Sequence, residues 1–149
     1  SSSEAAVRGA EIVITATSAA KVVLEGAQLE PGMHINAMGA NWPQKRELDA
    51  SAVERCDLIT VDSIEQAKME AGDLIQAFGE NSSRWDSVQE LSGIVAGKIP
   101  GRNNTSQITL FKSNGIATWD LAAAVRVFEL AKAQGKGQSI PLWEPSAGK

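Results

Sequence analysis

Short apolar runs separated by helical stripes set the pattern of this 149-residue chain. Residues 11–17 hold Ile12, Val13 and Ile14 on consecutive positions, followed by Thr15, Ala16 and Thr17. Consecutive β-branched residues suit a strand buried on both faces of a parallel sheet, where alternation is lost. Residues 33–39 predict a second strand, entered through the turn pair Pro31-Gly32, and residues 57–62 a third. Residues 107–111 alternate enough for a fourth.

Helical signals lie between and after these runs. Residues 1–8 read as a capped helical turn leading into the first strand. Ser51 followed by Glu54 forms a capping box for a short helix before the third strand. Ser63 followed by Gln66 forms another, with Ile64, Ala67, Ala71, Leu74, Ile75 and Phe78 as one continuous stripe. Ser87 with Glu90 predicts a further helix ending near Gly97. Residues 100–106, rich in Gly, Asn and Ser, are a loop. The apolar positions Leu121, Ala124, Val125, Phe128 and Ala131 recur at helical spacing until Gly135-Lys136-Gly137 stops the helix. The tail from Pro141 reads as irregular.

Strand–helix–strand alternation with buried strands indicates an α/β protein: a partial, Rossmann-type parallel sheet with flanking helices and a long C-terminal helix. Residues 1–149 are read as one domain. Few strands precede the final helix, and the chain opens almost directly into one, so more sequence is expected upstream.

Composition then removes whole classes. A formal charge of -4 and a pI near 5.0, with Lys and Arg scattered, argue against nucleic acid. The single cysteine, Cys56, excludes an internal disulfide and a multi-cysteine zinc site, and His34 is the single histidine. His34 reads as a packed strand side chain and Cys56 as a buried, inert thiol. No apolar stretch approaches membrane-spanning length and no signal peptide is visible, so a cytoplasmic location is the default expectation.

Ligands of open parallel sheets bind outside the carboxyl ends of the strands. That rule selects Thr17-Ser18, Met38-Gly39-Ala40-Asn41 and Asp62-Ser63. Ser63 is read as a helix cap. Gly39 after a buried strand suggests close approach of a ligand to the backbone. Lys112-Ser113-Asn114-Gly115 stands between a strand and the long helix; an anion or carbonyl site and a plain cap by Ser113 or Asn114 weigh equally on spacing. Trp42, Trp85, Trp119 and Trp143 are read as core or interface anchors, and Asp73 as a solvated charge on a helix. The chain holds neither G-x-G-x-x-G nor a P-loop pattern.

Several segments in order resemble the ornithine cyclodeaminase/mu-crystallin family: residues 8–17, 31–40, 45–49, 61–63, 70–73 and 111–115, continuing through the final helix. The resemblance covers nearly the whole chain and is specific as an ordered set. It implies dimeric enzymes with an NAD(P)-binding Rossmann domain, among them cyclodeaminases, alanine dehydrogenases and ketimine reductases. In that pattern Thr17, Ser18, Met38 and Gly39 line the cofactor, NAD or NADP, while Lys112 and Ser113 approach its nicotinamide end. Asn41 matches the position of a catalytic aspartate in the cyclodeaminases. An amide orients a substrate by hydrogen bonds but cannot take up a proton as a base, which counts against cyclodeaminase activity. A reductase or dehydrogenase activity is less affected, since hydride transfer is the cofactor's chemistry.

The family pattern places the dimerisation region and the glycine-rich phosphate loop before residue 1. The expectation is therefore a C-terminal fragment or truncated homologue that is not catalytic alone. Its substrate in the complete enzyme would be a small amino acid or imine, and its partner a second copy or a missing N-terminal half. The alternative is a stand-alone, non-catalytic module that self-associates or binds a partner.

Overall fold

A computed structural model of the chain describes residues 2–19, 21–79 and 82–140. The chain divides into two units, Ser1–Gly115 and Ile116–Lys149. In the first, α1 (Ser3–Val7) is capped by the Ser2 side chain, which accepts from the Ala5 N–H. Then follow β1 (Ile12–Thr15), a 3-10 turn (Gly26–Gln28), β2 (His34–Ala37), α2 (Ala50–Glu54) and β3 (Leu58–Val61). Helices α3 (Ile64–Glu70) and α4 (Gly72–Phe78), a 3-10 turn (Ser83–Ser87), β4 (Gln89–Glu90), α5 (Leu91–Val95) and β5 (Thr109–Lys112) complete the unit.

The strands pair in parallel in the order β1-β2-β5-β3-β4. Register sets Val13, Ile35, Leu110 and Ile59 in one row across the sheet. The next row towards the carboxyl ends is Thr15, Ala37, Lys112 and Val61. All eight are buried, and they lie on the face that packs the core with Leu24, Leu48, Val53, Ala67 and Leu74. Such β-branched and Leu side chains pack well on a pleated surface.

The expected parallel α/β architecture is present, with a fifth strand that sequence patterning misses. Two residues, Gln89 and Glu90, are too few to show a period, yet they pair with Thr60 and Val61. They fall where a helix from Ser87 was expected, and the helix starts only at Leu91. The preceding residues instead form the 3-10 turn around Trp85, which is 4% exposed and donates its ring N–H to the Gly79 carbonyl. Burial on both faces fails for β1. It is an edge strand whose second face carries Ile12 and Ile14, 62% and 66% exposed.

Helix starts follow side-chain chemistry more closely than spacing. Ser63 caps α3 as expected, accepting from the Gln66 N–H. Helix α2 is capped by Asp49, not Ser51: its carboxylate accepts from the Ala52 N–H at 2.7 Å and the Gly26 N–H at 2.9 Å. The single stripe expected from Ile64 to Phe78 is two helices, broken at Ala71 with ψ 79°. The cause is a close backbone approach. A Cβ on Gly72 would lie 1.8 Å from the Lys45 carbonyl oxygen and 2.4 Å from that of Trp42.

Among the tryptophans, Trp85 is core, whereas Trp42 and Trp119 are exposed. His34 is half-buried against Thr109, with Nδ1 2.7 Å from its hydroxyl. Burial pushes the Cys56 thiol up to about 12, with Asp57 adding to the rise, so it stays protonated and inert. In the second unit, α6 (Ala117–Ala133) has no buried residue, and Gly135 at φ 62° follows its end. The tail from residue 141, with Trp143, lies outside the described residues. No helix among the described residues is long and apolar enough to cross a membrane.

Gly72→Ala is expected to destabilise the first unit by about 1–3 kcal/mol, because main chain cannot swing aside for a Cβ. Urea unfolding followed by tryptophan fluorescence measures it, and a loss within error would show that the α3–α4 break has another origin.

Candidate functional site

Beyond the row Thr15, Ala37, Lys112 and Val61 the strands open into four loops at one end of the sheet. These carry Thr17 and Ser18, Met38 to Asn41, Asp62 and Ser63, and Ser113 to Gly115. Thr17, Ser18 and Met38 are exposed, and Gly39 and Asn41 are half-buried. A cavity of about 730 Å³ lies elsewhere, lined by Gly9, Ile12, Met33, His34, Arg102 and Thr109 among others. It sits at the amino ends of the strands, remote from this polar cluster.

Three buried carboxylates pin the loops. Glu47, 1% exposed, accepts from the Thr17 N–H at 2.6 Å and the Thr17 hydroxyl at 2.7 Å through Oε1. Its Oε2 accepts from the Gly39 N–H at 2.9 Å. Burial by itself would push this carboxyl up. The Thr17 hydroxyl and amide, with the Thr15 hydroxyl and the Gly39 amide, outweigh that and hold it below its ordinary value near 4.5. Asp62, at the end of β3, grips the β5 loop. Its Oδ2 accepts from the Ser113 hydroxyl at 3.1 Å, the Asn114 N–H at 2.9 Å and the Gly115 N–H at 2.6 Å.

Asp73 is the third. It is 1% exposed, and its Oδ1 accepts from the Glu47 and Leu48 N–H groups at 2.6 and 2.9 Å. Its Oδ2 lies 3.7 Å from the Lys112 ammonium, and both side chains are fully buried. Burial raises the Asp73 carboxyl despite the Leu48 amide and the Lys112 charge, and burial lowers the Lys112 ammonium despite Asp73 and Glu47.

The Lys112 Nζ donates to the Asn41 Oδ1 at 3.1 Å, the Ser113 carbonyl at 3.3 Å and the Ala37 carbonyl at 3.5 Å. An ammonium only donates, so it fixes the Asn41 carboxamide with oxygen inward. Asn114 Nδ2 donates to the same oxygen at 3.5 Å. The Asn41 Nδ2 keeps no hydrogen-bond partner among the described residues, and Asn114 Oδ1 is a buried acceptor without one.

The residues selected from sequence thus converge, with their roles redistributed. Lys112 is wholly buried and reaches the open end through Asn41 and Ser113. Ser113 is 3% exposed and bonded to Asp62. Neither Ser113 nor Asn114 caps the last helix, whose N-cap is Ile116 without a side-chain bond. Gly39 is a glycine because a Cβ there would meet the Glu47 carboxyl and the Thr17 carbonyl oxygen at 2.5 Å. Asp73 is no solvated charge: the break at Ala71 turns it into the core. Glu47 and Asp73 received no role from spacing, since a buried acid reads like any surface acid. Their flanks, Leu48 on one side and Ala71 and Leu74 on the other, were the available signal.

Removing the cation by Lys112→Met leaves Asp73 uncompensated and is expected to cost about 3–5 kcal/mol in urea unfolding. For Glu47 the sign follows from its lowered pKa. The stabilisation it contributes is present above its ordinary value near 4.5 and is lost as pH falls through the lower native value. Glu47→Gln therefore flattens the acid limb of the stability curve, which unfolding at a series of pH values measures directly.

The sequence profile of the ornithine cyclodeaminase/mu-crystallin family matches residues 1–135. A Δ1-pyrroline-2-carboxylate reductase of Bacillus cereus is 37% identical over 136 residues, covering 91% of this chain and 42% of that protein. A ketimine reductase mu-crystallin of Macropus fuliginosus is 40% identical over 129 residues, covering 87% and 38%. Among solved structures, Thermococcus litoralis Δ1-pyrroline-2-carboxylate reductase in complex with NADH and L-proline superposes with a TM-score of 0.84 at 36% identity, covering 93% of this chain and 43% of that one. The chain thus spans about two fifths of the length of these relatives. Its fold, its ordered segments and the family profile agree, and the chain belongs to the ornithine cyclodeaminase/mu-crystallin family.

Proposed function

We propose that this chain supplies the nicotinamide-facing side of a dinucleotide site in an NAD(P)-dependent enzyme acting at the carbon–nitrogen bond of a small amino or imino acid. The observation that carries this is the convergence of Thr17, Gly39 and Ser113 on buried carboxylates, and of Asn41 on the buried Lys112 ammonium, at the carboxyl ends of parallel strands. Thr17, Ser18, Met38 and Gly39 line the cofactor, and Lys112 and Ser113 underlie its nicotinamide end. The donor Asn41 Nδ2 and the unpaired buried acceptor Asn114 Oδ1 are the two groups a primary carboxamide such as nicotinamide carries would engage. The cofactor, when bound, carries the hydride. Asn41 orients the substrate by hydrogen bonds and takes no proton, which favours reductase or dehydrogenase chemistry over cyclodeamination.

The 149 residues hold no G-x-G-x-x-G, so the polypeptide made of them alone binds NAD(P)H weakly and turns over little; the whole enzyme works with the remaining family regions, as a homo-oligomer. Titrating NADH and NADPH into the ¹⁵N-labelled chain tests this. Shifts at the Thr17, Gly39 and Ser113 amides are expected, with dissociation constants in the millimolar range. Micromolar affinity would overturn the weak-binding half, and silence at these amides would overturn the site.

A second reading rests on the exposed Ile12 and Ile14 of edge strand β1. An uncovered apolar strand favours a stand-alone module that acts by association. Light scattering that returns a stable monomer counts against it.

A further inference from the structure

We propose that Glu47 is the positioning residue of this site, a buried carboxylate that sets the spacing of the Thr17 and Gly39 loops before any cofactor arrives. The proposal rests on the dinucleotide reading above and assigns the device that pre-organises it. At 1% exposure Glu47 touches no ligand; it acts through the loops it holds.

Every polar group of Glu47 is committed. Both carboxylate oxygens accept from the two loops, three bonds of 2.6 to 2.9 Å. Its N–H donates to Asp73 at 2.6 Å, and its carbonyl accepts from the Val23 and Leu24 N–H groups at 2.8 and 3.1 Å. No Lys or Arg of the described residues forms an ion pair with it, so its charge is held by loop donors. Such bonds to an ionised carboxylate are short and strong, and they tie it to the loops specifically. The fit also dictates residue type on the far side. Gly39 has no room for a Cβ against the Glu47 carboxyl, so clamp and glycine belong together. The Thr17 hydroxyl, already donating to Glu47 and accepting from the Ala19 N–H at 3.1 Å, is spent on the loop and serves the ligand by placement.

Glu47→Gln separates the two arms. One amide oxygen still accepts from Thr17, but the amide nitrogen now confronts the Gly39 N–H, donor against donor. Hydrogen exchange is expected to stay near wild type at Thr17 and to speed up roughly tenfold at Gly39, with Leu110 in the sheet centre unchanged. In the NADH titration the same variant is expected to raise the dissociation constant roughly tenfold, as loss of one charge-assisted bond implies. Asp57→Asn, which removes an exposed carboxylate accepting from the Ile108 N–H at the opposite end of the sheet, should leave NADH binding unchanged. Should Glu47→Gln fail to fold, Thr17→Val at an exposed position removes one of the three bonds and is expected to speed Gly39 exchange about threefold.

Gly39 exchange as in wild type, in whichever variant folds, overturns the clamp and leaves the dinucleotide reading intact. Faster Gly39 exchange with unchanged NADH affinity overturns its role in positioning the cofactor. A wild-type chain with no NADH response overturns the dinucleotide reading, and this proposal with it.

Discussion

The carboxylate of Glu47, sealed from water and shared by three donors on two loops, is the constraint from which the polar end of this sheet takes its shape. A buried charge is tolerated only when its hydrogen bonds are made, and here they are made by the segments that must be held. The same carboxylate excludes a side chain at residue 39. Asp73 repeats the logic one layer deeper by gripping the main chain of Glu47 and Leu48.

Charge balance links these two acids to β5. Lys112, at the end of the central strand, is the cation facing Asp73, and its remaining donors go to the Asn41 oxygen and two carbonyls. A surface lysine would be a mobile point charge. This one is immobile and transmits its position to Asn41, presenting the amide nitrogen outward. The break between α3 and α4 belongs to the same arrangement: Gly72 lets the backbone close on the Lys45 carbonyl, and Asp73 then faces inward.

Membership of the ornithine cyclodeaminase/mu-crystallin family gives this scaffold its chemical context. The Thermococcus litoralis Δ1-pyrroline-2-carboxylate reductase shares this fold, and the relatives extend well beyond the region this chain matches. What the chain itself contributes is a rigid set of small and polar groups at the strand ends. Among them Asn41 is an amide, which hydrogen-bonds but takes up no proton as a base.

The sequence by itself determined the elements whose signal is local: short apolar or alternating runs for four strands, Ser63 as a cap, the long final helix, and an ordered family pattern running through the chain. It determined, too, that Asn41 is an amide and so not a base. Tertiary structure decided whatever depends on contacts distant in sequence. Glu47 reaches Thr17 across 30 residues and Asp73 reaches Glu47 across 26, and no periodicity encodes such pairs. Strand β4 exists only by pairing with β3, and the carboxylate that caps α2, Asp49, also holds the Gly26 N–H from 23 residues back. Exposure of Ile12 and Ile14 on one face of β1 depends on what packs over that face, which strand composition does not record. Acidic side chains are where the two levels part most sharply, because solvation or burial of a carboxylate is settled by the donors the fold brings to it.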